Sequence, residues 1–116
     1  MLSSNHIIKI ARGDSVSFDF MIDLATKFDM PQLKYTLTDY DTVYFGIMLP
    51  HQPFEDAIIK KKYTRANMKE DGKILIEITS ADTMNLEPGI YYYEIKLKTR
   101  LGVRTLIAKK KFVVGD

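Results

Sequence analysis

Cysteine and tryptophan are absent from this chain of 116 residues, and histidine occurs only twice. Without cysteine, neither a disulfide framework nor a thiolate metal site can form. This favours a protein that is made in a reducing compartment or that needs no covalent cross-links. The histidines, His6 and His51, belong to no Gly-x-Ser-x-Gly or His-Glu-x-x-His motif. The sequence therefore predicts no enzymatic activity, no cofactor and no transition-metal site.

Long apolar runs are missing as well. No stretch approaches the roughly 20 residues that a membrane-spanning helix needs, and residues 1–6 lack the basic start and apolar run of a signal peptide. We therefore expect synthesis in the cytoplasm and no membrane partner. The length, the 46% hydrophobic share and the 28% charged share are those of one ordinary globular domain over residues 1–116.

The net charge is only +2, but it is unevenly distributed, with −4 in residues 1–58 and +6 in residues 59–116. One explanation is that lysines protect exposed edge strands from unwanted pairing. The other is that the two halves form oppositely charged flanks, through which molecules meet in a ring or stack. The lysine runs 60–62 and 109–111 lie within predicted strands, where successive side chains point to opposite faces. Neither run alone makes a compact basic patch, so no nucleic-acid partner is expected.

Apolar and polar residues alternate at period two along the whole chain, which predicts half-buried strands. The predicted strands are residues 6–10, 14–21, 33–38, 43–49, 54–64, 73–79, 89–99 and 103–114. Residues 54–64 also fit a helix, but the β-branched pair Ile58 and Ile59 favours a strand. One helical turn is predicted over residues 80–86, with Thr79 or Ser80 as its N-cap.

The same alternation predicts which side chains lie in the core. Its principal members are Phe18, Phe45, Ile76 and Tyr93, joined by Tyr35 and Leu37 on the strand over 33–38 and by Leu106, Ala108 and Phe112 on the last strand. Glu77 and Lys96 are expected to face outward. Of the three consecutive tyrosines at 91–93, only Tyr92 points away from the core, and a single tyrosine does not make a stacking platform.

Seven or eight short strands with no long helix between them cannot build a βαβ unit. The pattern predicts an all-β fold, an immunoglobulin-like antiparallel β-sandwich of seven or eight strands with one short helical turn. Residues 86–91 have the layout of a crossing between the two sheets. At such a crossing, a tyrosine near the start of the next strand can anchor its hydroxyl to the crossing loop.

Two further motifs have ordinary structural explanations. The acidic residues Asp39, Asp41, Glu55 and Asp56 could supply oxygen ligands for calcium, but they lack the spacing of an EF-hand and are interpreted as surface turns. The triplet at 12–14, Arg-Gly-Asp, matches an integrin-type motif. Its glycine permits a turn before the second strand, so no adhesive function is assigned to it.

Several segments together resemble small virion proteins of tailed bacteriophages and prophages. These segments are 12–18 (RGDSVSF), 43–47 (VYFGI), 73–78 (KILIEI), 82–95 (DTMNLEPGIYYYEI) and 103–114. They are similar in style to the N-terminal immunoglobulin-like domain of the baseplate upper protein. The resemblance implies a structural role in the virion and brings no catalytic or ligand residue. Baseplate upper proteins continue into further domains where this sequence ends, so four positions stay open: baseplate, tail, neck and capsid exterior.

The expected function is therefore docking to other virion proteins, as a monomer or small oligomer when alone and as a homo-oligomer or symmetric ring within the virion. Residues 25–33 contain Phe28, Met30 and Leu33 in an irregular stretch, and these three, with the outward Tyr92, are the candidate protein contacts. The apolar loop residues could instead fold back onto the core. The alternative function is a free-standing carbohydrate-binding or adhesion module, although sugar-binding sandwiches usually present several outward aromatic side chains.

Overall fold

The structure is a computed structural model that describes residues 7–22 and 36–116. The strands in these ranges are β1 (Ile8–Ala11), β2 (Val16–Met21), β3 (Thr42–Met48), β4 (Ile59–Tyr63), β5 (Lys73–Ile78), β6 (Gly89–Thr99) and β7 (Gly102–Gly115). A short helix, α1 (Ser80–Met84), lies between β5 and β6, and single 3-10 turns occur at Phe54–Asp56 and Arg65–Asn67. No helix within the described ranges is long and apolar enough to cross a membrane.

The strands form two sheets that pack face to face. One sheet has five strands in the order β1-β7-β6-β3-β4, and the other consists of β2 and β5. In an immunoglobulin-like sandwich, β2 and β5 correspond to strands B and E, while β3, β6 and β7 correspond to C, F and G with β4 as C′. The predicted sandwich is thus confirmed. Among the described strands, the one departure from the antiparallel pattern is β1, which runs parallel to β7.

The core lies between the sheets, on the faces that the alternation assigned to it. Phe45 of β3, Ile76 of β5 and Tyr93 of β6 are fully buried, as predicted. The Phe45 ring centroid lies 5.6 Å from that of Tyr93 and 6.4 Å from that of Phe18 on β2, so aromatic contacts join the two layers. Phe18 is only partly buried, although it packs against the same cluster, and it therefore belongs to the margin of the core.

The crossing from β5 to β6 has the predicted helical turn, cap and tyrosine. Thr79 is the N-cap of α1: its side chain accepts a hydrogen bond from the Asp82 N–H, and its own N–H donates to the Asp82 carboxylate at 2.8 Å. At the start of β6, the Tyr91 hydroxyl donates to the carbonyl of Glu87 at 2.7 Å. This bond back to the loop is the tyrosine corner of immunoglobulin-like domains, and it fixes the entry of the chain into the larger sheet.

The turn between β1 and β2 is fastened to α1 through one buried side chain, Thr83. Its hydroxyl donates to the Asp14 carbonyl at 2.6 Å and accepts from the Gly13 N–H at 3.0 Å. Arg12 Nε donates to the Met84 carbonyl at 3.1 Å. Gly13 has a φ of 87°, a conformation that costs glycine little. The Arg-Gly-Asp triplet therefore has the local structural role that the sequence suggested.

The strand predicted over residues 54–64 is shorter than expected. Its first residues form the 3-10 turn Phe54–Asp56, and β4 starts only at Ile59. The turn places the Phe54 ring over β3, where a Cβ added to Gly46 would lie 2.8 Å from a ring carbon. Phe54 therefore covers part of the outer face of the five-stranded sheet, and this tertiary contact overrides the strand propensity of the segment.

Two other local predictions need correction. Ala108, expected to face inward, is exposed, whereas Leu106 and Phe112 do pack against the core. The cause is a pair of irregularities in the β6–β7 ladder between Tyr93 and Lys96. They insert unpaired residues into β7 and so change which of its side chains face the core. The strand over 33–38 is not present in its described part, residues 36–38, although Leu37 is buried there; Tyr35, like His6 of the first strand, lies outside the described residues.

The two halves of the sequence do not form two flanks. β3 belongs to the first half, yet it lies between β4 and β6 in the five-stranded sheet, and β5 of the second half pairs with β2 of the first. The charge is instead divided between the layers. The five-stranded sheet has a single acidic residue, Glu94, against many lysines, whereas β2 and β5 together carry Asp19 and Glu77 against Lys73.

Candidate functional site: the outer sheet face and the hairpin tip

The described residues assemble no reactive cluster. Within 7–22 and 36–116, no three His, Asp or Glu side chains come close enough to hold a metal ion. In the same ranges, every buried side-chain nitrogen and oxygen has a hydrogen-bond partner, so none of these buried groups is left unpaired for a ligand to bind. His51 lies in an exposed turn after β3. The candidate functional features of this part of the chain are therefore surfaces.

The perturbed ionisable groups follow from packing. Burial raises the pKa of Tyr93 to about 12, as expected for a phenol in the core. At Asp82, burial acts to raise the pKa of the carboxyl. The hydrogen bond to Lys61 at 2.7 Å and those to Thr79 outweigh it and lower the pKa. The lowered pKa of Asp82 therefore reflects a structural role, since its carboxylate caps α1 and forms an ion pair with Lys61 of β4.

Lysines from four strands converge on the outer face of the five-stranded sheet. Residues directly opposite each other in a ladder share a face, and Tyr44 of β3 stands opposite both Lys62 and Lys96. The same register places the other outward lysines on this side. We call the set the lysine face: Lys9, Lys60, Lys62, Lys96, Lys98 and Lys111.

Most of these ammonium groups are not neutralised by the protein itself. Lys9, Lys62, Lys98 and Lys111 form no ion pair with any residue in the described ranges. Lys60 Nζ donates to the backbone carbonyl of Glu55, which leaves its charge unopposed. The lysine face is therefore a positively charged surface whose ammonium groups are largely unpaired.

Aromatic side chains lie between the lysines. Lys96 Nζ stands 4.8 Å from the centre of the Phe54 ring, close enough for a cation–π contact. Tyr92 is half-buried and lies opposite Lys111 on β7 and Met48 on β3. The side chain that the sequence singled out as outward is thus on this face, as predicted, and its role as a protein contact stays a prediction.

The tip of the β6–β7 hairpin, residues 99–104, presents apolar side chains to solvent. Leu101 at the turn is 100% exposed and Val103 is 62% exposed. Arg100 and Arg104 flank them, and the guanidinium of Arg100 lies 4.9 Å from the centre of the Tyr40 ring. Arginine is enriched at the energetic centres of protein interfaces, and exposed apolar patches rimmed by polar residues often mark interaction sites.

An open groove of about 730 Å³ lies at the hairpin tip. Its lining includes Leu97 at the base of the hairpin, Thr38 and Asp41 before β3, and the tip residues. Asp41 is buried, and its carboxylate accepts a hydrogen bond from the Thr38 N–H at 2.9 Å. The Asp41 side chain thus holds the loop that supports the tip.

Sequence reasoning and the structure identify partly different surface residues. The predicted contacts Phe28, Met30 and Leu33 lie outside the described residues. Sequence reasoning missed the hairpin tip and the convergence of the lysines. The signal for the tip was a leucine at a turn between arginine and glycine. The lysine face had no local signal, because it depends on which strands become neighbours.

Comparison with known proteins adds no relative to this description. The chain matches no protein-family model, no curated protein and no solved structure.

Proposed function

We propose that the chain is a structural component of a tailed-phage virion, at the baseplate, tail, neck or capsid exterior, and that it acts by docking to neighbouring virion proteins. The segments that carry the resemblance support this. They lie on β2, β3, β5, β6 and β7, and residues 82–95 build the crossing with its tyrosine corner. The resemblance thus rests on residues that determine the sandwich.

The hairpin tip is the observation that carries the docking role. The fully exposed Leu101 contributes no burial energy to the folded monomer, whereas burying such a side chain is favourable by roughly 1.5–3 kcal/mol. Leu101 and Val103 can gain this energy only at an interface, and Arg100 and Arg104 beside them supply hydrogen bonds for its rim. The tip therefore fits a pocket on a neighbouring virion protein.

Immunogold labelling of purified phage particles tests the assignment and the position together. Particles are produced with an epitope-tagged chain, either wild type or the double variant Leu101→Ser with Val103→Thr. Gold at one fixed location is expected for the wild type. The tip variant is expected to be lost from particles while its melting temperature stays within a few degrees, because both changes are at exposed positions.

Leu75→Ser with Met84→Ser is the matched control, since these apolar side chains are 38% and 54% exposed on β5 and α1, away from the tip. The control is expected to be incorporated like the wild type. Absence of wild-type gold from particles would refute the virion assignment. Incorporation of the tip variant would place docking on another surface. A specific hit in a glycan-array screen would favour the carbohydrate-binding alternative.

A further inference from the structure

We infer that the lysine face binds an acidic surface on a neighbouring protein, which makes it a second contact surface beside the hairpin tip, whose Val103 stands opposite Lys98. This inference rests on the proposed docking function. It follows from the layered charge: Glu94 is the only acid in the strands of the larger sheet, and none of the six face lysines has an ion-pair partner within the described ranges.

The geometry of the face fits a flat, extended contact. With strands about 4.8 Å apart, the five strands span about 19 Å, and the six residue steps from Tyr92 to Lys98 cover about 20 Å along β6. The resulting area of about 400 Å² is half of one partner's share in a standard interface. One such contact is weak, but copies arranged around a virion axis would be strengthened by effective concentration.

An acidic protein suits this face better than a nucleic acid. The pI of the chain, about 8.7, is below the values above 9 that are typical of nucleic-acid-binding domains. The half-buried Tyr44 and Tyr92 lie among the lysines and supply the apolar surface found at the centre of protein interfaces.

Binding of fluorescein-labelled poly-L-glutamate to the full chain tests the inference. Fluorescence anisotropy is measured at about 20 mM salt, where screening is weak. The face variant Lys62→Gln, Lys98→Gln, Lys111→Gln should weaken binding about tenfold or more, because several small charge contributions are removed from one surface. The control Arg65→Gln, Lys69→Gln, Lys73→Gln removes the same net charge from the β4–β5 connection and the start of β5, and it should weaken binding less than twofold.

Three results would overturn the inference: no binding of poly-L-glutamate, equal weakening by both triple variants, or tighter binding to duplex DNA that the face variant abolishes. The last would identify a nucleic-acid partner.

Failure of the lysine-face inference is separable from failure of the proposed function. If gold labelling places the chain in particles and the face variant is incorporated normally, docking stands and the lysine face is not part of it. If gold is absent from particles, the virion assignment fails whatever poly-L-glutamate does.

Discussion

At the scale of single residues, Thr83 makes the most consequential contact of those described. Its buried hydroxyl bonds two backbone groups of the β1–β2 turn, the Gly13 N–H and the Asp14 carbonyl. These contacts join residues about 70 positions apart, since α1 follows β5 while the turn precedes β2. A threonine side chain thus takes over backbone hydrogen bonding where no strand partner is present.

Thr83→Val should therefore lower the free energy of unfolding by about 1–3 kcal/mol, because it keeps the shape but leaves two part-buried backbone groups without their partner. Thr83→Ser retains the hydroxyl and should cost clearly less. Urea denaturation of the three proteins measures the difference. Equal losses for valine and serine would show that the methyl contact, not the hydrogen bonds, stabilises the turn.

Asp82 should make stability depend on pH in the acid range. Because its pKa is lowered in the folded state, the carboxylate stabilises the fold above the pKa of the unfolded chain, and this contribution disappears as pH falls through the folded value. The stability gap between wild type and Asp82→Asn should be about 1 kcal/mol near pH 7 and should close below about pH 4. Lys61→Gln should reproduce part of the gap, and a gap that stays constant from pH 3 to pH 7 would contradict the assignment.

At the scale of elements, the alternation of residues predicted strand identity well but not the details that depend on neighbours. β3, β5 and β6 lie within one residue of their predicted bounds, because each buries one face continuously. Ala108 of β7 is predicted to face inward but is exposed. The bulge that turns it outward arises from the pairing of β7 with β6, so the β7 sequence alone does not reveal it. β4 starts later than predicted because Phe54 packs onto Gly46 of another strand, a contact that a local sequence pattern cannot show.

The candidate surfaces also divide into features that one strand's sequence predicts and features that depend on neighbouring strands. Tyr92 could be assigned to the outer face from β6 alone, because its two neighbours Tyr91 and Tyr93 are core residues. The lysine face could not, since Lys62, Lys96 and Lys9 become near neighbours only through the order of strands in the sheet. Strand order is set by crossings such as the tyrosine corner, and these determine the distribution of charge on the surface.

The lysines of β4 also occupy an edge strand: among the described residues β4 pairs only with β3. Replacing Lys60 and Lys62 by valine should promote intermolecular strand pairing, because an apolar, unprotected edge is a template for aggregation. Light scattering and thioflavin fluorescence should rise for this variant. Lys96→Val with Lys98→Val, which adds the same apolar area on the central strand β6, is the control; equal aggregation of both variants would show that only charge or hydrophobicity matters.

At the scale of the whole molecule, the two layers are unequal and depend on each other. A two-stranded sheet is marginal by itself, so β2 and β5 are held by burying Ile74, Ile76 and Ile78 against the larger sheet. The five-stranded sheet in turn needs that cover for Phe45 and Tyr93. The Lys61–Asp82 ion pair, together with a hydrogen bond from the Glu77 N–H to the Tyr63 hydroxyl, ties the layers at the β4 side.

The sandwich should therefore unfold in one cooperative step, with neither sheet surviving the other. Since the chain lacks tryptophan, two single-tryptophan variants can report on the layers separately: Leu75→Trp on the outer face of the smaller sheet and Tyr92→Trp on the outer face of the larger one. Both sites are at least partly exposed, so neither change should disturb the core. The urea midpoints from the two fluorescence signals and from strand-dominated far-UV circular dichroism should coincide, because exposing the inner face of either sheet removes the apolar contacts of the other. A Leu75→Trp transition at clearly lower urea than that of Tyr92→Trp would mean that the two-stranded layer detaches first, leaving the lysine face on a partly folded molecule.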